Sequence, residues 1–298
     1  MIRFPRRSRS GSFATRAESE TPLTSRGERD GAEPGAAILK AEDVFEDLAR
    51  YYDPIMGHVD YDRWFMVASR VASMLPQGFR HLDAACGTGT LLKMLRRLQW
   101  NSFGVDLSCA MLRAGRRGST RCSAAAGDLR ALPFKESFQY ITCLFDSMNF
   151  LLTIDDFERA IRQFHDALVP EGILYFDVVT ERMVFDYYDG ESWEEDNGRF
   201  STRWENDYDR NARVITSAIR VNTGPSCRLR ERIYEREDIE RALAKAGFGL
   251  LGVYDAHSWK SPTRKTVRMD FVAVKGNPSR LRQRFRAVRR FISERLSE

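Results

Sequence analysis

From residue 80 onward the chain alternates short apolar runs with stretches whose apolar residues recur at helical spacing. HLDAA, SFGVDL, CSAAAGD, FQYITCLFD and ILYFDVV are too short and too continuously apolar for amphipathic helices and predict strands. Between them, TLLKMLRRL, SCAMLRAGRR and DDFERAIRQFHDAL predict helices, and the Pro170-Glu171-Gly172 turn signal precedes the last strand. Strands that alternate with helices imply parallel βαβ units, hence an α/β fold with a mostly parallel sheet and helices on both faces. The alternation breaks near residue 200. FSTRWENDYD, ARVITSAIRV and RLRERIYE predict three consecutive antiparallel strands, a small β insert. A helix, REDIERALAKAG, and two strands, GLLGVYDA and VRMDFVAVK, then close the pattern.

Upstream, AEDVFEDLARYYD and DYDRWFMVASRVASML predict two helices, the second with Trp64, Val67, Val71 and Leu75 on one face and a stop at Pro76-Gln77-Gly78. Residues 1–38 have no hydrophobic periodicity and are expected to form a disordered arm. Five arginines and no acid in the first 17 residues leave open a mitochondrial-type targeting peptide, with a solvated basic arm preferred. Residues 276–298 predict a basic amphipathic helix, with Leu281, Phe285, Val288, Ile292 and Leu296 at helical spacing. Its apolar stripe either packs on the domain, the preferred reading, or lies on an acidic membrane or partner.

Composition narrows the function classes. With 298 residues, 43% hydrophobic and 30% charged, the chain suits one large domain with an insertion. The net charge of +5 equals the surplus of seven arginines over two glutamates in residues 280–298. The remainder is near neutral, which argues against a broad nucleic-acid face. The five cysteines form no C-x-x-C pair, so neither a metal site nor a disulfide framework is suggested, and reduced thiols in a cytoplasmic protein are expected. No apolar run nears the about 20 residues of a membrane span.

The candidate chemistry begins at HLDAACGTGTLL, residues 81–92, a strand, a small-residue loop and a helix start. No lysine follows the glycines at the position a P-loop needs. Leu92 occupies the third small-residue position of the dinucleotide fingerprint, where its bulk opposes close helix–strand packing. Asp83, at the loop entrance, repels phosphate and attracts an ammonium group. S-adenosylmethionine offers that ammonium, a carboxylate for the N–H groups of the loop at Ala85, Gly87 and Gly89, a ribose and an adenine. Asp106, 17 residues beyond Gly89 at the end of the second strand, can accept from ribose hydroxyls, and Leu107 can pack on adenine. Asp128, with Leu129, ends the third strand and can accept from the adenine amino group. The fourth strand ends at Asp146, at the sheet edge where open α/β folds bind ligands. Each signal alone has a plainer explanation, such as helix capping; their order, one per strand end, carries the reading.

With those motifs the sequence resembles the class I S-adenosylmethionine-dependent methyltransferases, in particular the group that includes small-molecule and sugar N-methyltransferases. HLDAACGTGTLL, FGVDLS, AGDLRALPF, FQYITCLFDSMNFL and LVPEGILYFDV carry the resemblance, which covers about residues 41–275. It implies a Rossmann-like seven-stranded, mostly parallel sheet with the last strand antiparallel, and a methyltransferase domain over 39–275 whose segment 182–236 forms an antiparallel lid over the substrate. It also implies an N-terminal cap whose tyrosines, Tyr52 among them, border the cofactor. Ala85 departs from the family's usual first glycine.

Methyl transfer from a sulfonium needs chiefly in-line positioning of a nucleophile, so no catalytic triad is sought. Asp146 is a candidate to orient an amine or take its proton, with a capping role equally open. His257, in the loop between the last two strands, is a second candidate base. Tyr187, Tyr188, Trp193 and Trp204 either line an aromatic pocket or form the insert's own core. The expected activity is methyl transfer to a small-molecule amine or hydroxyl by a monomer or homodimer. RNA or a lipid-associated acceptor recruited by the basic tail, and a cofactor-binding protein without transfer activity, stay open.

Overall fold

The computed structural model describes residues 44–116, 123–224 and 226–298. The arm expected over residues 1–38 lies outside them, as does Cys122. The chain enters through α1 (Ala49–Ile55) and α2 (Tyr61–Ala72). The first helix begins later than its periodicity suggested. Residues 44–48 form turns, in which Leu48 and Ala49 both donate to the Phe45 carbonyl, and Val44 stays exposed while Leu48 is buried. Asp60 caps α2 by accepting from the Arg63 N–H at 3.0 Å.

The alternating segment then folds as β1 (Arg80–Ala84), α3 (Thr90–Arg96), β2 (Asn101–Asp106), α4 (Cys109–Gly115), β3 (Ala124–Ala126), β4 (Phe138–Cys143), α5 (Ile154–Ala167) and β5 (Leu168–Val179). The insert comprises α6 (Glu181–Tyr187), β6 (Ser192–Asp196), β7 (Ser201–Asp209), β8 (Val214–Val221) and β9 (Ser226–Arg232). The chain ends with α7 (Arg236–Lys245), β10 (Phe248–Asp255), β11 (Arg268–Lys275) and α8 (Arg282–Arg295). The main sheet has seven strands in the order β10-β11-β5-β4-β1-β2-β3, with β11 antiparallel to both neighbours and β1 to β5 parallel. This is the expected seven-stranded, mostly parallel sheet with an antiparallel strand near its edge.

Period-two alternation in the central strands feeds two cores, one on each face. In β5, Ile173 and Tyr175 join a cluster with Trp64, Val67 and Val71 of α2, and Leu174, Phe176 and Val178 join one with Phe157 and Ile161 of α5. Pro170-Glu171-Gly172 does not end a segment before β5. These residues lie inside it as an irregularity, because the pairing with β4 jumps from Phe138–Leu168 to Tyr140–Ile173 and Glu171 takes φ +63°.

Leu92 is fully buried without spoiling helix–strand packing. The room comes from Gly104 on β2, where an added Cβ would stand 2.9 Å from a Leu92 methyl. The fingerprint's small residue has in effect moved from the helix to the opposing strand.

The second sheet has four antiparallel strands, β6-β7-β8-β9, one more than the sequence pattern predicted. Its first strand is a short edge with strict alternation of half-buried and exposed residues, too polar to stand out. Leu229, Cys227 and Ile219 of this sheet pack with Leu48, Tyr51 and Ile55. Asn149, fully buried, donates to the Arg232 carbonyl at 2.8 Å and accepts from the Val179 N–H at 3.1 Å. The second sheet is thereby fastened to α1 and to the carboxyl end of the parallel strands. The C-terminal helix buries Phe285, Val288 and Ile292 in the same core as α2, so its apolar stripe is used within the domain.

Candidate active site

The glycine loop leaves β1 through three left-handed residues, Ala85 (φ +58°), Gly87 (φ +57°) and Gly89 (φ +76°). At Ala85 this conformation costs about 1–2 kcal/mol that a glycine avoids. The loop is braced from β2: the Cys86 N–H donates to the Val105 carbonyl at 3.0 Å, and the Gly87 N–H donates to Asp106 Oδ2 at 2.7 Å. Asp106 Oδ1 accepts from the Ser108 N–H at 2.8 Å, which sets the start of α4. Asp106 therefore positions the loop as well as facing the site. Thr88 Oγ1 donates to Asp53 Oδ1 at 2.6 Å and ties α1 to the loop. An added Cβ at Gly115 of α4 would fall 2.1 Å from the Thr88 carbonyl oxygen, so this close approach is reserved for glycine.

Asp83 is 4% exposed and is held by an ordered chain. Thr142 Oγ1 donates to Asp83 Oδ1 at 2.8 Å; His81 Nε2 lies 2.9 Å from that hydroxyl, and His81 Nδ1 lies 3.0 Å from Ser102 Oγ. Because Thr142 spends its proton on Asp83, Nε2 must donate and Nδ1 must accept from Ser102. Burial depresses the imidazole to about 3, so it stays neutral. Burial also pushes Asp83 up to about 7, against the Thr142 hydrogen bond and with a further push from Asp106.

Along the remaining strand ends the structure treats the expected residues unequally. Leu107 is 60% exposed beside Asp106, an apolar surface left open at the site. Asp128 is not the open acceptor expected. It caps the turn Leu129–Ala131, and its two oxygens take hydrogen bonds from the Arg130 guanidinium at 2.6–3.0 Å. Those bonds outweigh burial and hold the Asp128 carboxyl below its ordinary value. Leu129 is buried in the core, since the tight turn directs it inward, so its side chain offers no platform to a ligand. Tyr52 of α1 has its phenol pushed well up by burial and by Tyr61, Asp146, Asp106 and Asp53, which puts it among the site's acids. Trp64 is buried in the core, 3% exposed.

Asp146 sits on a strained turn, with Phe145 at φ +62° and Asp146 at φ +54°. Buried Asp177 of β5 holds that turn, accepting from the Phe145 N–H at 2.7 Å and the Asp146 N–H at 3.1 Å. Arg268, the first residue of β11, bonds Asp177 and reaches Asp146 Oδ2 at 2.9 Å. Asp146 is thus paired with a buried guanidinium, which favours its carboxylate as a fixed acceptor over a mobile base. His257 follows β10, is exposed, and is anchored by its N–H to Asp255 at 3.1 Å. Although the residue is exposed overall, partial shielding of its imidazole and then the charge of Arg63 push the ring below its ordinary value, with Asp255 opposing and Arg268 adding to the fall. The same end of the sheet therefore carries both candidates, Asp146 and His257.

Asp53, Thr88, Asp177, Arg268 and Glu231 were not singled out from the sequence. Asp177 and Arg268 left a trace, an acid inside ILYFDVV and an arginine opening MDFVAV. Among the described residues no cluster of three or more His, Cys, Asp or Glu side chains could hold a metal ion.

A strained loop rich in backbone N–H groups, a buried carboxylate at its mouth and an exposed leucine fit a ligand with an ammonium, a carboxylate and an aromatic base, and disfavour a pyrophosphate. The comparisons agree. The family described as "Methyltransferase domain" matches residues 82–172. The Bacillus subtilis (strain 168) protein YqeM, which carries a methyltransferase name, is 26% identical over 78% of this chain and 97% of its own length. The structure of an S-adenosylmethionine-dependent methyltransferase from Clostridium acetobutylicum ATCC 824 is 25% identical, covers 78% of this chain and 99% of that one, and has a TM-score of 0.67. The dTDP-4-amino-2,3,4,6-tetradeoxy-D-glucose N,N-dimethyltransferase of Saccharopolyspora spinosa is 31% identical over 46% of this chain and 59% of its own. The sheet order, the loop and these likenesses converge: the chain is an enzyme of the class I S-adenosylmethionine-dependent methyltransferases, with S-adenosylmethionine as its cofactor.

Proposed function

We propose that the enzyme methylates the nitrogen of a small-molecule amine by in-line displacement. The observation that carries this reading is the acid-rich acceptor end of the site. Asp146 is held by Arg268 at the tip of β4, and the second sheet is fastened to that end through Asn149. Relatives named as aminosugar N,N-dimethyltransferases support the amine over the hydroxyl, among them a Streptomyces venezuelae enzyme 30% identical over 36% of this chain and 46% of its own.

The bound cofactor supplies a methyl group already activated on a sulfonium. In this reading Asp83 holds its ammonium and the N–H groups around Ala85, Gly87 and Gly89 face its carboxylate. Asp106 receives the ribose hydroxyls, Leu107 packs on the adenine, and Tyr52 closes the site from α1. Asp128 acts by shaping the turn at the adenine end. The chain then has mainly to orient the acceptor, and positioning alone contributes at most about 7–11 kcal/mol. Asp146 orients the amine. His257, exposed and of lowered basicity, is the weaker candidate base.

The test is release of S-adenosylhomocysteine from the full chain with a panel of aminosugars and simple amines, set against matched alcohols and RNA. Turnover on amines is expected. Turnover on alcohols or RNA with none on amines would overturn the reading.

A further inference from the structure

Strand β9 alternates along its length: Ser226, Arg228 and Arg230 are exposed, while Cys227, Leu229 and Glu231 turn to the other face. Cys227 and Leu229 pack on the α1 cluster, so the face Glu231 shares is the one turned toward the cap that bears Tyr52. The next residue fixes its height. The Arg232 carbonyl accepts from Asn149, three residues beyond Asp146, and its guanidinium donates to the Leu152 carbonyl at 3.1 Å. A carboxyl group is thereby set over the turn that carries Asp146. Among the described residues the Glu231 side chain has no hydrogen-bond or ion-pair partner, while its backbone pairs with Ile215 of β8. Its carboxyl oxygens are not among the sealed side-chain atoms that lack a partner, so in the half-buried recess they stay open to a ligand. Tyr188 lies close enough to feel the Glu231 charge, and its ring stands 5.9 Å from that of Trp193, which continues the aromatic surface away from Glu231 by stacking on Trp204 at 5.5 Å. Aromatic faces beside a carboxyl group suit a cation.

We propose that Glu231, with the ring of Tyr188, forms an ammonium subsite on the inner face of the second sheet, opposite Asp146, and receives the proton of the acceptor amine. This rests on the amine reading above and names the group that selects the amine. In the step itself an N–H bond of the acceptor's ammonium breaks and an O–H bond forms on Glu231. The electron pair remains on nitrogen, facing the methyl group, and the proton later passes to solvent. The groups around Glu231 suit it to that task. Burial, then Asp146, raise its proton affinity well above the ordinary carboxyl value; Arg268 of β11 opposes and Asp177 of β5 adds. Tyr188 feels the Glu231 charge in turn. A base of raised affinity can hold the proton long enough for the neutral amine to react.

The probes are choline and its uncharged isostere 3,3-dimethyl-1-butanol, titrated calorimetrically into the full chain saturated with S-adenosylhomocysteine. The wild type should prefer choline by about tenfold or more, and its choline affinity should rise with pH as Glu231 ionises. Glu231→Gln should lose both the preference and that pH dependence while keeping its S-adenosylhomocysteine affinity, which reports an intact fold. A Gln variant that still prefers choline overturns the subsite and leaves the amine reading standing. A wild type indifferent to the cation overturns the amine reading, and the subsite with it.

Discussion

If Asp83 holds the cofactor's ammonium as proposed, that one carboxylate answers two opposed demands. Its burial pushes the group up to about 7, so near neutral pH the cofactor-free protein carries it half protonated. An ammonium ligand needs the ionised form and draws the proton off as it binds. Affinity for S-adenosylhomocysteine should therefore be full above pH 7 and fall as pH drops through 7, approaching about tenfold per unit. Calorimetry in buffers of different ionisation enthalpy should register proton release near neutrality. A flat profile between pH 6 and 8 would detach Asp83 from the ammonium. Stability runs the other way. A carboxyl group raised in the fold stabilises fully only below its unfolded value, and that contribution is lost as pH rises toward 7. Asp83→Asn should accordingly melt higher than wild type at pH 8 without ligand, with the gain vanishing in acid, while its S-adenosylhomocysteine affinity falls. The sequence exposed Asp83 and Asp106 because strand ends punctuate an apolar pattern. It could not expose the capture of Asp128, since Arg130 two residues on serves equally well as a solvated side chain until the turn folds.

At the level of elements, the acceptor end hangs on a pairing between strands. Arg268 and Asp177 lie 91 residues apart and meet only because β11 runs antiparallel beside β5. Local periodicity gives each strand but not this register, which is why the brace under Asp146 escaped sequence reasoning while the strands did not. Removing one member leaves a buried charge uncompensated and frees a strained turn. Arg268→Met should cost about 3–5 kcal/mol in urea unfolding and lower kcat through the mispositioned Asp146. Adding Asp177→Asn should recover much of the stability and none of the kcat. Recovery of both would mean the brace serves the fold alone. The close approach of α4 to the glycine loop gives a second case. Gly115→Ala sets a Cβ against the Thr88 carbonyl and should displace the loop that Thr88 belongs to. The expected outcome is S-adenosylhomocysteine affinity weakened about tenfold or more, that is by about 1.4 kcal/mol or more, in a protein whose far-ultraviolet circular dichroism is unchanged.

Across the whole molecule, the alternation of strands and helices made a parallel sheet of βαβ units readable and the family resemblance supplied its seven strands, whereas the last helix left two uses open, of which the preferred packing on the domain is the one found. A basic amphipathic stripe reads the same whether it meets a membrane or its own domain. In the fold, Phe285 packs near Tyr254 and Trp259, at 6.0 and 6.2 Å between ring centres, and Ile292 is fully buried. Arg70 of α2 lies 4.2 Å over the exposed Phe291 ring, adding a contact on the same side. Each buried apolar side chain contributes about 1.5–3 kcal/mol, and the aromatic residues they cover pack against β11, whose first residue is Arg268. The helix is thus part of the scaffold behind the acceptor end. Two sets of variants separate scaffold from recruiter. Ile292→Asp should lower the melting temperature by several degrees, at about 2–4 °C per kcal/mol for a domain of this size, and lower turnover with it. Replacing the exposed Arg282, Arg284, Arg286 and Arg290 by Gln removes charge and leaves the stripe intact. That variant should keep both melting temperature and turnover on a soluble amine. If the glutamine variant lost turnover at an unchanged melting temperature, the arginines would be contacting the acceptor or its carrier, and the scaffold account of the helix would fail.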